Sequence, residues 1–155
     1  MKHKERGVRL EKVLDSLSDY PYLLVGENDS VEEVARKLRE QPGIRSIYVV
    51  DGEGRVVGAL SLGRFIRVLT SPRCRYRFST RNLLSCLTAD SVRDLMDDHL
   101  IYARPHDRVL DVIERMLRKN IKEVPILDEQ GRILKNAGLL ELWDLLEPEE
   151  ECGCE

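Results

Sequence analysis

Residues 29–54 read DSVEEVARKLREQPGIRSIYVVDGEG, and residues 107–131 read DRVLDVIERMLRKNIKEVPILDEQG. Asp29 matches Asp107, Val31 matches Val109, Val34 matches Val112 and Leu38 matches Met116, an offset of 107 − 29 = 78. One residue fewer before Ile121 makes the offset 77, which pairs Ile44 with Ile121, Ile47 with Val124, Asp51 with Asp128 and Gly54 with Gly131. A period this long, present twice, is too coarse for a solenoid of short stacked units. It implies two copies of one small unit sharing a core, with a cleft between them as the place to look for function.

Each copy has the same internal grammar. Asp29 or Ser30 can cap a helix, and Ser30 with Glu33 forms an S-x-x-E capping box. Val31, Val34, Ala35 and Leu38 then fall at i, i+3, i+4 and i+7, one apolar stripe, and Pro42-Gly43 stops the helix. Residues 44–50 are a β-rich run, 51–54 a hairpin turn and 55–60 a returning strand. Residues 62–69 carry a further helical stripe of Phe65, Ile66 and Leu69. The second copy repeats this with Val109, Val112, Ile113 and Met116, a strand at 121–127, a turn at 128–131, a strand at 132–140 and a helix at 142–146. The lead-ins match too: Val13-Leu-Asp-Ser-Leu17 is similar to Val92-Arg-Asp-Leu-Met96. The expected class is α/β (α+β), two tandem β-α-β-β-α repeats packed as a pseudo-twofold pair. The expected boundaries are 10–70 and 88–147 for the repeats, 71–87 for an Arg-rich linker and 148–155 for an acidic, Cys-containing tail.

Composition narrows the function. The 155 residues are 42% hydrophobic and 34% charged, with 5% aromatics and a net charge of −3. A general nucleic-acid binder is usually clearly positive. No apolar run approaches the roughly 20 residues that span a bilayer. The start, MKHKERGVRLEKV, lacks the apolar core of a secretory signal, so a cytoplasmic location is expected.

The order of elements, the hydrophobic-hydrophobic-Asp-x-x-Gly turn and the Gly-hydrophobic pair before the last helix resemble the CBS domain. VRDLM at 92–96 and EVPILD at 123–128 are similar to that family's lead-in and central strand. Two in tandem resemble a Bateman module, covering the chain from about Val13 to Leu146. The resemblance implies a regulatory fold, not a catalytic one. It would bind an adenosine-containing ligand between its repeats, AMP, ADP, ATP or S-adenosylmethionine, with no cofactor required. It also implies a homodimer and a regulated protein that the sequence does not name.

The family's ligand signature is Gly-hydrophobic-x-Ser/Thr-x-x-Asp/Asn at the start of the last helix. An Asp carboxylate there can accept both ribose hydroxyls, and the hydroxyl side chain can donate to phosphate. The first repeat has Gly58-Ala-Leu-Ser61-Leu-Gly-Arg64, so Ser61 fits and Arg64 replaces the carboxylate. The second has Gly138-Leu-Leu-Glu141-Leu-Trp-Asp144, so Asp144 fits and Glu141 replaces the hydroxyl. Glu141 would repel a nearby phosphate by about a kcal/mol or more. The site holding Asp144 therefore suits adenosine or a sulfonium-bearing adenosine, and Ser61 with Arg64 suits a phosphate.

By the same resemblance, Arg45 and Lys122 stand where a basic residue often faces the phosphate. Read as residues alone, they are equally strand-edge charges that discourage aggregation. The segments 25–29 and 103–107 resemble loops that contact adenine through backbone groups. In the family each cleft takes its loop from one repeat and its signature helix from the other. Asp144 and Lys122 would then share a cleft with Val25, and Ser61 and Arg64 would face Arg104 and His106. Arg104 can hold a phosphate by two parallel hydrogen bonds. Its alternative is a surface salt bridge, and that of His106 is a plain loop residue.

Residues 55–89 contain no Asp or Glu but seven Arg: Arg55, Arg64, Arg67, Arg73, Arg75, Arg77 and Arg81. Arg with interleaved aromatics, as in SPRCRYRFSTR, is a composition that binds single-stranded nucleic acid. The acidic run Glu141, Asp144, Glu147, Glu149 to Glu151 and Glu155 offers an internal or cross-dimer counterpart, and that pairing, or a lid over a phosphate, is the favoured reading. Cys152-Gly-Cys154 supplies half a tetrahedral shell, and Cys74 with Cys86 are thiols or, in a heat-adapted source, a disulfide. No nucleophile–base pair, P-loop or metal site is assembled, so no catalysis is expected. Three readings stand: a ligand sensor, a ligand-free dimeric scaffold, and a nucleic-acid binder.

Overall fold

Val31–Glu40 (α2) and Val109–Lys119 (α5) are helices because each places four apolar side chains on one stripe and ends on a residue that cannot continue it. Ser30 caps α2, its hydroxyl accepting the Glu33 N–H at 3.2 Å. Arg108 takes that position before α5 and gives no side-chain cap. The two helices also stop differently. After α2 the chain uses Gln41-Pro42-Gly43, whereas α5 closes on Asn120 alone, in the left-handed conformation (φ 52°, ψ 43°). The Ile121 N–H then reaches back to the Met116 carbonyl at 3.0 Å. That tighter closure removes the one residue that changes the repeat offset from 78 to 77.

The computed structural model describes residues 7–70 and 91–146. The remaining elements are α1 (Leu10–Val13) with a short 3₁₀ turn at Leu14–Ser16, β1 (Tyr22–Gly26), β2 (Ser46–Val50), β3 (Val56–Leu60), α3 (Leu62–Leu69), α4 (Val92–Leu95), β4 (Glu123–Leu127), β5 (Ile133–Gly138) and α6 (Leu139–Asp144). The expected mixture of helices and small sheets is present in both copies. In the first, β2 is central, parallel to β1 and antiparallel to β3. In the second, β4 and β5 pair antiparallel, and the β1 counterpart is reduced to a bridge between Ala103 and Ile126.

Each hairpin is made by the same turn. The Asp51 N–H bonds to the Arg55 carbonyl, the Asp51 carboxylate accepts the Glu53 and Arg55 N–H groups, and Gly54 has φ 81°. Asp128, Gln130, Arg132 and Gly131 (φ 82°) reproduce it. A left-handed residue is required there, and glycine adopts it without steric cost.

The chain divides into two compact units, residues 21–100 and residues 1–20 with 101–155. We call these the first-repeat and second-repeat units. They do not coincide with the contiguous stretches 10–70 and 88–147, because each lead-in packs into the unit of the other repeat. Val92 donates its N–H to Asp29, and Leu10 donates its N–H to Asp107, both at 3.0 Å. Val92 and Leu10 are each fully buried in the core they join. The first core gathers Val25, Val31, Val34, Ile47, Val49 and Phe65 around Val92, and the second gathers Val109, Val112, Met116, Val124, Ile126 and Leu142 around Leu10. Each such side chain contributes roughly 1.5–3 kcal/mol on burial. In α3 the expected stripe is only partly kept: Phe65 is buried and Leu69 half-buried, whereas Ile66 is 47% exposed. Leu62 takes its place against the core.

Candidate functional site

The loops that precede α2 and α5 are built alike. Asp29 folds back so that its carboxylate accepts the Gly26 N–H at 2.8 Å, and Asp107 accepts the Arg104 N–H at 3.0 Å. A basic side chain two turns into each helix reaches the same carboxylate. Lys37 lies 3.7 Å from Asp29, and Arg115 bonds Asp107 at 3.0 Å while its other nitrogen donates to the Tyr102 carbonyl. Burial pushes the Asp107 carboxyl up, but the Arg104 N–H, the Arg115 guanidinium and His106 outweigh it and leave it below its ordinary value. Arg104 stacks on the Tyr102 ring at 5.5 Å, with no ion-pair partner among the described residues, and His106 is exposed beside Asp107.

Val25 is buried in β1, paired with Val49, so its side chain belongs to the core. Along the loop after it, the Gly26, Glu27 and Asp29 N–H groups are already bonded within the unit. Arg45 and Lys122 are exposed at matching positions before β2 and β4, and the Lys122 carbonyl accepts the Leu139 N–H that begins α6.

The last helix is where the structure departs most from the sequence matching. Ile47 pairs with Leu60, and Val124 pairs with Ala137. Both steps are 77 residues, since 124 − 47 = 77 and 137 − 60 = 77. The irregularity between Val49 and Val50 recurs between Ile126 and Leu127, again 77 on, and buried Phe65 corresponds to buried Leu142. Matching Gly58 to Gly138 needs an offset of 80, which no insertion in the sheet supplies. The counterpart of Ser61 is therefore Gly138, the counterpart of Arg64 is Glu141, and exposed Asp144 stands in the place of Arg67.

Ser61 and Glu141 both have partners. The Ser61 hydroxyl accepts the Arg64 N–H at 3.3 Å, capping α3. The Tyr20 hydroxyl donates to the Glu141 carboxylate. Arg64 is exposed, and among the described residues no hydrogen bond or ion pair engages its guanidinium. Glu141, Asp144, Lys122, Arg104 and His106 thus lie in the second-repeat unit, and Val25, Arg45, Ser61 and Arg64 in the first. Tyr20 escaped the sequence reading because it lies 121 residues from Glu141 and no local pattern links them.

Of the seven Arg in the acid-free stretch, Arg55 is bound to Asp51 at 2.9 Å and to Glu53 at 3.4 Å. Arg73, Arg75, Arg77, Arg81 and all four cysteines lie outside the described residues, as does the tail from 147. Among the described residues no helix is long and apolar enough to cross a membrane, and no three His, Cys, Asp or Glu side chains cluster for a metal.

The family model described as the CBS domain matches residues 14–71 and 92–148. The magnesium transporter MgtE of Thermus thermophilus is 31% identical over 132 residues, 83% of this chain and 25% of that protein. The chain therefore spans about a quarter of this relative. The solved cytosolic domain of the Mg2+ channel MgtE in complex with ATP is 26% identical, with a TM-score of 0.60 over 87% of this chain and 52% of that one. The CBS domain pair of protein MJ0100, in complex with 5′-methylthioadenosine and S-adenosyl-L-methionine, is 20% identical. Its TM-score is 0.62 over 90% of this chain and 95% of the other.

Proposed function

Because the chain belongs to the CBS domain family, as a tandem pair, we propose that it is a regulatory module that senses an adenosine-containing ligand. Proteins of this fold have been solved with ATP and with S-adenosylmethionine, which supports the ligand class. The observation that carries the reading for this chain is the equivalence of Arg64 and Glu141. The same position at the start of the last helix is a guanidinium in one repeat and a carboxylate in the other. Arg64 in the first repeat would take a phosphate, as would Arg104 with His106 in the second. Glu141, with Lys122 of its own repeat, would take ribose hydroxyls or a sulfonium. Asp144, three residues beyond Glu141, is the second carboxylate for that role.

Calorimetric titration with AMP, ATP and S-adenosylmethionine tests this directly. Binding of at least one is expected, and silence from all three would remove the reading. Replacing Glu141 and Asp144 separately by Ala then separates the two carboxylates: the larger loss of affinity marks the ribose acceptor.

A second reading, a ligand-free interaction scaffold, is favoured by the engagement of Ser61 and Glu141 within their own units. It predicts that binding to a regulated protein is unchanged by Arg104→Ala and Asp144→Ala. In either reading a homodimer would cover exposed apolar side chains such as Leu117, Leu140 and Trp143. Sedimentation equilibrium distinguishes one copy from two.

A further inference from the structure

Residues 8–20 precede the first repeat in sequence, yet they bind two separate parts of the second-repeat unit. At one end Val8 accepts the Val109 N–H, Leu10 and Glu11 donate to the Asp107 and Pro105 carbonyls, and Arg9 donates to the His106 carbonyl at 2.8 Å. These bonds secure the loop before α5. At the other end the Lys135 ammonium donates to the Leu14 and Leu17 carbonyls, at 2.7 and 2.9 Å. The Asp19 carboxylate accepts the Asn136 N–H, and the Tyr20 N–H donates to the Asn136 carbonyl. The last contact of this strap is the Tyr20 hydroxyl on the Glu141 carboxylate.

Gly138 gives Tyr20 its place. A Cβ there would meet the Glu141 carboxylate first and the Tyr20 ring carbon Cε2 at 2.7 Å, so the missing side chain leaves room for both groups beside the start of α6. In the first-repeat unit the same position is Ser61, and among the described residues no hydrogen bond or ion pair joins the Arg64 guanidinium to the lead-in 91–97. Its own ion pair is Arg93 with Glu27 in the preceding loop, at 3.0 Å.

A phenol donating to a carboxylate forms a charge-assisted hydrogen bond, and a ribose hydroxyl is a donor of the same kind. Both cannot take the same acceptor lone pair in the same direction. We infer that Tyr20 is a built-in competitor for Glu141, so that a nucleoside hydroxyl bound there displaces the Tyr20 hydroxyl and loosens the strap at residues 14–20. The inference rests on the ligand reading above and adds its regulation. Binding would be transmitted to the segment that leads into the first repeat, through one exchanged hydrogen bond.

The test uses the full chain and adenosine, which carries the ribose hydroxyls without phosphate. Affinity is measured by calorimetry for the wild type and Tyr20→Phe, a change that removes only the competing hydroxyl. Hydrogen exchange of residues 8–20 is followed with and without saturating adenosine. The expected result is roughly five- to tenfold tighter binding by Tyr20→Phe, the size of one hydrogen bond. In the wild type adenosine should speed exchange at residues 14–20 while slowing it elsewhere in the unit. Equal affinities, with strap exchange slowed or unchanged, would overturn the inference and leave the ligand reading standing. If neither protein binds adenosine, this use of Glu141 is wrong and the inference falls with it.

Discussion

At the middle of β3 the first-repeat unit has Gly58, and at the same register position of β5 the second-repeat unit has Lys135. Gly58 allows a close approach: a Cβ there would meet the Asp97 carbonyl oxygen at 2.8 Å and the Met96 sulfur at 3.0 Å. The short lead-in at 91–97 lies flat on β3, with Ala59 and Asp97 exchanging both backbone hydrogen bonds. Lys135 faces a lead-in that contains the 3₁₀ turn, and its ammonium donates to the Leu14 and Leu17 carbonyls there. The duplicated core tolerates little change because its side chains fill a fixed volume. The lead-in contact has diverged, because backbone and side-chain donors can replace each other wherever the spacing allows.

That contrast predicts unequal responses. Gly58→Ala forces either the lead-in or β3 to move, since backbone stands in the way, and should cost about 2–3 kcal/mol of stability in urea unfolding. A cost below about 0.5 kcal/mol would mean that the lead-in yields freely. Lys135→Met keeps the aliphatic stem and removes two charged hydrogen bonds, for an expected loss of about 1.5–3 kcal/mol, near the low end because the site is half-buried.

The loops before the two helices sharpen the comparison by pH. The Asp107 carboxyl is held below its ordinary value in the folded protein, so its stabilising contribution is complete above the unfolded value near 3.8. It is lost as the pH falls through the lower folded value. Asp107→Asn should therefore lower stability at neutral pH by about 1 kcal/mol and flatten the acid side of the stability profile below pH ~4. An unchanged acid limb would show that the Arg115 contact does not persist in solution.

The smallest effect concerns the caps. Ser30→Ala should cost about 1 kcal/mol, whereas Arg108→Ser, which gives α5 the cap it lacks, should gain up to about 1 kcal/mol. Thermal melts of the two variants, moving in opposite directions, would check the pair.

The helices α2 and α5, the strands that follow and the two Asp-x-x-Gly turns were legible because each is set by local pattern: a 3.6-residue stripe, a β-rich run, and a glycine where φ must be positive. The capping by Ser30 was legible for the same reason. Strand ends were less so, and α6 begins three residues before the expected start. Around α6, Leu139, Leu140, Leu142, Trp143, Leu145 and Leu146 are apolar on nearly every face, so the stripe does not fix which residue turns inward. Matching by glycine put Asp144 opposite Arg64, and the sheet ladder put Glu141 there instead. Ile66 was misassigned for a similar reason, since Leu62, Phe65 and Leu69 already complete a stripe without it.

From its amino acids alone this chain is two copies of one mixed helix–strand unit, because hydrophobic spacing and turn chemistry act over a few residues and repeat visibly. Tertiary structure decided which lead-in joins which core, which position of α6 corresponds to Arg64, and that Tyr20 holds Glu141. The lead-in docking and the Tyr20 contact join residues 63 to 121 apart, and the α6 match follows from the sheet ladder; burial and hydrogen-bond satisfaction there are settled by the whole unit and leave no periodic trace in the sequence.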